Sequence, residues 1–103
     1  MLKYVKVNLR KGKKLYLEKK PDLIERDLNG EIIILCQKSG VYYSFNNEIA
    51  IDIWKKISEK CSEQQIIDFI TSQYDVPREQ AISDIKEFID DLLNEDLIST
   101  VNS

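Results

Sequence analysis

Hydrophobic positions in the first half of the chain predict three β-strands. The segments Asp22–Asp27, Ile32–Cys36 and Val41–Phe45 have strand length, and the last two carry mainly β-branched and aromatic residues. Asn29-Gly30, between the first two, is a strong hairpin signal because a type I′ turn needs positive φ at both central positions. Lys38-Ser39-Gly40 predicts the second turn. The middle segment is apolar without alternation, which is typical of a central strand, so we expect an antiparallel sheet with this strand in the middle.

After Phe45 the apolar spacing changes to the helical period and predicts three helices. The first begins at Asn46 or Asn47, the second begins with the capping box Ser62 and Gln65, and the third has Pro77 in its first turn. Their apolar faces are Ile49, Ala50, Ile53, Trp54 and Ile57; Ile66, Ile67, Ile70 and Tyr74; and Ala81, Ile82, Ile85, Phe88, Ile89, Leu92 and Leu93. The last face spans about 140° at about 100° per residue, wider than one core contact needs. Leu97-Ile98 closes the domain, and the final residues are expected to fray.

Three strands followed by three helices predict an α+β fold that is winged-helix-like, with a three-stranded antiparallel sheet followed by three helices. The chain has 103 residues, which is one domain's worth. We expect residues 1–20 to form a basic N-terminal arm and residues 21–100 to form the domain.

The charge is divided unevenly along the chain. Residues 1–20 hold eight Lys or Arg and one acid, whereas residues 21–103 hold seven Lys or Arg and seventeen acids. The arm is therefore strongly basic and the body acidic. Three roles stay open for the arm, namely a solubilising terminus, an extra strand, or a contact for an acidic partner.

The residue types disfavour catalysis, metal binding and a cofactor. The chain has no His, which removes the commonest general base and metal ligand. Cys36 and Cys61 are isolated, so no zinc motif exists, and without an export signal we expect reduced thiols in a cytoplasmic protein; a disulfide between them is the lesser alternative. No apolar run approaches the length of a membrane span, so we expect no membrane partner.

Nucleic-acid binding is the alternative that a winged-helix order raises, and the charges argue against it. The third predicted helix carries Arg78 and Lys86 against seven acids, and the second carries no Lys or Arg. A helix that reads a groove must approach phosphates, so an acidic helix is unsuited to it. A small structural or dimerising adaptor is a third hypothesis.

Peptide binding by strand addition suits the residues better. Val41–Phe45 is predicted as an edge strand, and an extended peptide can pair with such an edge. Tyr42, Tyr43 and Phe45 offer apolar bodies, although alternation turns at least one tyrosine towards the core. Such tyrosines are equally well explained as ordinary half-buried strand residues.

The chain resembles the family of pyrroloquinoline-quinone biosynthesis protein D, the prototype of the RiPP recognition elements. The resemblance covers about residues 21–100 and rests on the order and spacing of several short pieces. These are Gly-x-Tyr-Tyr-x-Phe-Asn at Gly40–Asn46, Ala50-x-x-Ile53-Trp54, Tyr74-Asp75-Val76, Asp84 and Phe88, and the final Leu97-Ile98.

The resemblance implies a non-catalytic module that binds the leader segment of a ribosomally synthesised precursor peptide by strand addition. It also implies a maturation enzyme as partner, either a radical-SAM enzyme or a lasso-peptide protease, to which the peptide is presented. The residues that correspond to the binding site are Val41, Tyr42, Tyr43 and Ser44 on the strand, Ala81, Ile85 and Phe88 on the helix, and Asp84 and Lys86 as polar contacts.

Two features depart from the family pattern. Asp96 stands where the family usually ends its last helix with glycine, and Asp adopts left-handed geometry only at a cost. The arm at residues 1–20 has no counterpart, and it could cover a sheet edge, meet an acidic partner or support a homodimer.

Overall fold

The computed structural model describes residues 15–102, which form five strands and three helices. Within this range the α+β fold class predicted from the sequence is confirmed. The elements in chain order are β1 (Leu15–Lys19), β2 (Leu23–Leu28), β3 (Glu31–Cys36), β4 (Tyr42–Phe45), α1 (Glu48–Ser58), α2 (Glu63–Gln73), α3 (Arg78–Asn94) and β5 (Ile98–Asn102).

Strands β2, β3 and β4 form an antiparallel sheet with β3 in the centre, as the apolar run predicts. Ile34 of β3 lies opposite Glu25 on one side and Tyr43 on the other. The turn between β2 and β3 has φ of 50° at Asn29 and 84° at Gly30, so both central residues are left-handed, as a type I′ turn requires.

The second, two-stranded sheet joins the two ends of the described chain. β1 pairs antiparallel with β5, so the tail that was expected to fray is a strand. Leu17 of β1 is only 3% exposed, and its N–H donates to the Cys61 carbonyl at 3.2 Å. Residues 15–20 of the expected basic arm are therefore part of the domain, which matches the extra-strand alternative there. Residues 1–14 lie outside the described residues.

Helices α1 and α2 begin at the polar residues expected of them. The Asn47 side chain accepts from the Ala50 N–H at 3.1 Å, and Ser62 and Gln65 form the reciprocal capping box. Pro77 takes the N-cap position of α3 rather than a place in its first turn.

The core lies between the sheet and the helices and also takes in both ends of the fold. β3 supplies Ile32 and Ile34 from the face that meets the helices. The other buried apolar residues are Leu17, Ile53, Trp54, Ile57, Ile66, Ile67, Ile70, Ala81, Ile85, Ile89, Leu92, Leu97 and Ile98. The remaining half-buried apolar residues of α3 contact this core from its sides.

Helix α3 ends in the arrangement that glycine usually provides, although the residue is Asp96. Its φ is 63°, its N–H donates to Leu93, and the Leu97 N–H donates to Leu92 at 3.0 Å. This is the Schellman pattern with an aspartate in the left-handed position. Asp96 therefore performs the geometric role of the family's glycine and also pairs with Lys20 at 3.1 Å.

Helix α1 ends in the same way, with Lys60 as its left-handed residue at φ 60°. The Cys61 N–H donates to the Lys56 carbonyl at 3.2 Å, which closes the motif. The Lys60 ammonium lies 3.9 Å from Glu18 in an exposed pair, which contributes little stability.

Replacing Lys60 with Gly is expected to raise the free energy of unfolding by about 1 kcal/mol, because glycine adopts positive φ without the steric penalty of a Cβ atom. Urea unfolding at neutral pH measures the change. Lys55→Gly, within α1, is the control and should lower stability by about 1 kcal/mol. A Lys60→Gly protein no more stable than the parent would contradict the strain assigned to this position.

Candidate functional site

Strand β4 has one paired edge and one open edge among residues 15–102. It pairs only with β3, and β1 pairs with β5 instead of covering it. Tyr42, on the outer sheet face, is 70% exposed, and Val41, just before the strand, is 43% exposed. An extended chain thus has access to the outer edge of β4.

The register between β3 and β4 shows which backbone groups face that open edge. The Cys36 N–H donates to the Val41 carbonyl at 3.0 Å, so this opposing pair is a hydrogen-bonded one. Because such pairs alternate in antiparallel sheets, Tyr43 and Phe45 also direct their N–H and C=O groups towards β3. Tyr42 and Ser44 direct theirs outward.

The inward side chains of β4 attach the strand to helix α3. The Tyr43 hydroxyl donates to Glu95 Oε1 at 2.8 Å, near the end of α3, and the Phe45 ring lies 5.4 Å from the Phe88 ring, edge to face. Phe45 also lies 5.6 Å from Trp54 of α1, which is fully buried. The hydrogen bond to Glu95 raises the pKa of Tyr43 above its ordinary value, since the carboxylate favours the protonated phenol.

We call the surface between the open edge of β4 and helix α3 the groove. Beyond the end of β4, a cavity of about 370 Å³ lies between the start of α1 and α3. No β4 residue lines this cavity, but Phe88, which does, contacts Phe45 of the strand. Its residues are mainly apolar, and they are Asn47, Ile49, Ala50, Ile53, Ile70, Val76, Pro77, Gln80, Ala81, Asp84, Ile85 and Phe88. A cavity of about 150 Å³ can hold a benzene ring, so this one has room for a large apolar side chain.

A hydrogen bond from α2 to α1 supports the walls of the cavity. The hydroxyl of Tyr74, which caps the end of α2, donates to the Asp52 carboxylate of α1. This bond, with desolvation, raises the pKa of Tyr74 to about 12. It connects the end of α2 to the helix that carries Ile49 and Ala50 into the cavity.

The structure places most of the predicted site residues in two groups, which the contact between Phe45 and Phe88 links. Val41, Tyr42, Tyr43 and Ser44 lie in or beside β4, and Ala81, Asp84, Ile85 and Phe88 line the cavity from α3. Within the strand, the outward backbone groups belong to Tyr42 and Ser44 only. Lys86 lies apart from the rest, because its ammonium binds Glu63 of α2 at 2.9 Å.

Sequence reasoning missed the contribution of α1 and of the segment before α3. Ile49 and Ala50, together with Val76 and Pro77, form the far wall of the cavity. The contribution of α1 could have been predicted from the short distance along the chain between Phe45 and Asn47, because it places the first turn of α1 at the end of β4. Glu95 was also missed, although it bonds Tyr43.

Three other features predicted or excluded from the sequence, namely a metal cluster, a disulfide and a membrane span, can be checked within the described residues. Residues 15–102 contain no group of three or more His, Cys, Asp or Glu placed to hold a metal ion. Cys36 and Cys61 are free thiols, so the alternative of a disulfide between them is not what forms. No helix in this part of the chain has the length and apolarity that crossing a membrane requires.

The fold and the groove define a class of protein, namely a small α+β domain with an open sheet edge beside an apolar helix. The sequence model of the family described as Coenzyme PQQ synthesis protein D (PqqD) matches residues 31–98, about two thirds of the chain. The chain therefore belongs to the PqqD family. The resemblance identified from the sequence is confirmed.

Two solved structures share this fold. One is described as TbiB1 in complex with the TbiA(beta) leader peptide, with a TM-score of 0.75 and 22% identity over 80% of this chain and 94% of that one. The other is lasso peptide synthetase B1 complexed with the leader peptide, with a TM-score of 0.73 and 23% identity over 81% of this chain and 96% of that one. No curated protein matches the sequence.

The backbone directions in β4 predict an alternating pattern of amide hydrogen exchange in the free protein. Tyr42 and Ser44 N–H groups should exchange near their intrinsic rates, whereas those of Tyr43 and Phe45 should exchange on the order of 100-fold more slowly. Residue-resolved exchange by NMR measures this. Equal protection at Tyr42 and Tyr43 would show that the outer edge is already paired.

Proposed function

We propose that this protein is a non-catalytic module that binds the leader segment of a ribosomally synthesised precursor peptide and presents it to a modifying enzyme. The leader pairs as an additional strand with the outer edge of β4 and lies against α3. The observation that carries the proposal is the open edge at Tyr42 and Ser44, together with an apolar cavity whose residue Phe88 contacts Phe45 of the same strand.

The fold neighbours support this proposal. Both share the architecture at TM-scores above 0.7, and both are described as complexes with leader peptides. The residues proposed to act here are Val41, Tyr42, Tyr43 and Ser44 at the edge, and Ala81, Asp84, Ile85 and Phe88 on the helix. Lys86 is a weaker candidate because α2 already holds its ammonium.

Typical free energies indicate that backbone pairing at the edge of β4 is not enough for a micromolar complex, so burial of a side chain in the cavity is needed as well. Tyr42 and Ser44 offer two N–H and two C=O groups, and four net hydrogen bonds contribute about 2–6 kcal/mol. A micromolar complex requires about 8 kcal/mol, and ordering the peptide opposes binding. A large apolar side chain in the cavity adds about 1.5–3 kcal/mol. Together the two contributions give about 3.5–9 kcal/mol before the ordering cost, so a micromolar complex needs both of them and further contacts of the leader with α3.

The partner enzyme is proposed to be a radical-SAM enzyme or a lasso-peptide protease, in the cytoplasm. The module itself supplies no chemistry in this scheme. It holds the leader and leaves the rest of the precursor to the enzyme. A direct test is fluorescence anisotropy with labelled leader segments of candidate precursor peptides, with duplex DNA as the competitor for the nucleic-acid alternative.

Tyr42→Pro is expected to weaken leader binding at least about 10-fold. Proline removes an outward N–H and places its ring at the pairing edge, while the hydrogen bonds to β3 remain. Tyr42→Ala is the matched control, because it removes the side chain and keeps the N–H, and its binding should change by less than about 3-fold. Anisotropy titration gives both affinities, and circular dichroism checks that both proteins fold.

Equal affinities of the Tyr42→Pro and Tyr42→Ala proteins would reject strand addition at this edge. Tyr43→Pro gives an independent check of the register. Its N–H bonds β3, so this substitution should destabilise the sheet itself.

Ala50→Leu is expected to weaken leader binding about 10-fold or more while leaving stability unchanged or higher. The larger side chain occupies the cavity from α1 without touching the edge of β4. Ala50→Ser keeps the cavity open and serves as the control. Unchanged affinity in the leucine variant would show that the cavity holds no part of the leader.

A further inference from the structure

The acidic and the basic side chains of α3 lie on different faces of the helix and face different neighbours. At about 100° per residue, Asp84, Asp91 and Glu95 share an arc of about 60° with Phe88. The contacts Phe88–Phe45 and Glu95–Tyr43 turn this arc towards β4. We call the three acids the groove acids.

The two basic residues of α3 face the other way. Lys86 pairs with Glu63 of α2 at 2.9 Å, and Arg78 pairs with Asp68 of α2 at 3.3 Å. The helix therefore directs its cations towards α2 and its groove acids towards the open edge.

No cation within residues 15–102 forms an ion pair with the groove acids. Asp84 accepts a hydrogen bond from the Gln80 amide at 2.9 Å, and Glu95 accepts from the Tyr43 hydroxyl. Both donors are neutral, so the negative charge is not compensated. The strand on the opposite side of the groove, Tyr42–Phe45, carries no charged side chain.

Resting on the function proposed above, we infer that the guest strand is basic, with Lys or Arg at the positions whose side chains face α3. Alternate residues of a strand point to the same face about 6.6 Å apart, and Asp84 and Asp91 lie about 10 Å apart along the helix. Two basic residues that lie two or four positions apart on this face, about 6.6 or about 13 Å, can therefore each reach one of these two aspartates. Side chains on the other face of the guest strand point away from the groove acids, so no preference for Lys or Arg is expected there.

A selection from a random 15-residue peptide library, displayed as mRNA fusions, tests this with the full chain immobilised. Three proteins are compared, namely the parent, the groove variant Asp84→Asn/Asp91→Asn, and the control Glu79→Gln/Asp90→Asn. The control removes the same charge from the same helix, at exposed positions about 100° or more from the groove arc. Glu95 is left unchanged because it bonds Tyr43.

The expected result is at least about 3-fold enrichment of Lys and Arg at alternating positions in peptides bound by the parent and the control, and loss of that enrichment in the groove variant. The selected peptides should also bind the parent about 3–10-fold more tightly at 50 mM than at 300 mM salt, because exposed pairs are screened. Enrichment that persists in the groove variant, or peptides without basic residues, would overturn the inference.

The same selection separates this inference from the proposed function. Peptides whose binding falls in the Tyr42→Pro protein but which show no basic preference support strand addition and reject the basic guest. Peptides that bind the Tyr42→Pro protein as well as the parent reject strand addition itself.

Discussion

The contact between β4 and α3 is the interaction on which the site depends. Phe45 packs edge to face on Phe88, and Tyr43 bonds Glu95, so both inward side chains of the strand are attached to the helix. Because side chains alternate along a strand, this attachment fixes which backbone groups face β3 and which face outward. Strand β4 is thus held in place by its inward side chains, and within the described part of the chain the N–H and C=O groups of Tyr42 and Ser44 stay unpaired at its open edge.

The same contact explains why this edge, and not that of β2, is the one proposed as the binding site. Both outer strands have an open edge within residues 15–102. β2, however, carries the charged Arg26 and Asp27 at exposed positions, and such residues discourage pairing. β4 is uncharged and runs beside α3 towards an apolar cavity, so backbone pairing and side-chain burial can act together there.

Much of the fold could be predicted from local patterns. Asn29-Gly30, the apolar β3 run and the Ser62–Gln65 box each specify a structure through short-range physics, and each formed as expected. The pairing of β1 with β5 could not be predicted in this way, because it joins segments about 80 residues apart by hydrogen bonds that leave little mark on the sequence. The end of the chain consequently looked like a frayed tail.

For the candidate site too, local patterns could be predicted from the sequence and long-range packing could not. The resemblance pointed to Phe88 and Asp84, and both line the cavity from α3, while their part in peptide binding stays a prediction. Which amides of β4 point outward could not be predicted without the pairing register of β3 and β4. That register depends on the length of the Gln37–Gly40 turn. The orientation of Lys86 required knowledge of where α2 packs, and periodicity alone does not give it.

An isotope-filtered nuclear Overhauser measurement on the complex tests the central claim most directly. The Tyr43 Hα points away from β3, since its N–H and C=O groups point towards it. With labelled protein and an unlabelled leader peptide, the account predicts contacts from the Tyr43 Hα to backbone protons of the guest. Guest contacts confined to β2 or to the β1–β5 sheet, with none at Tyr43, would contradict it.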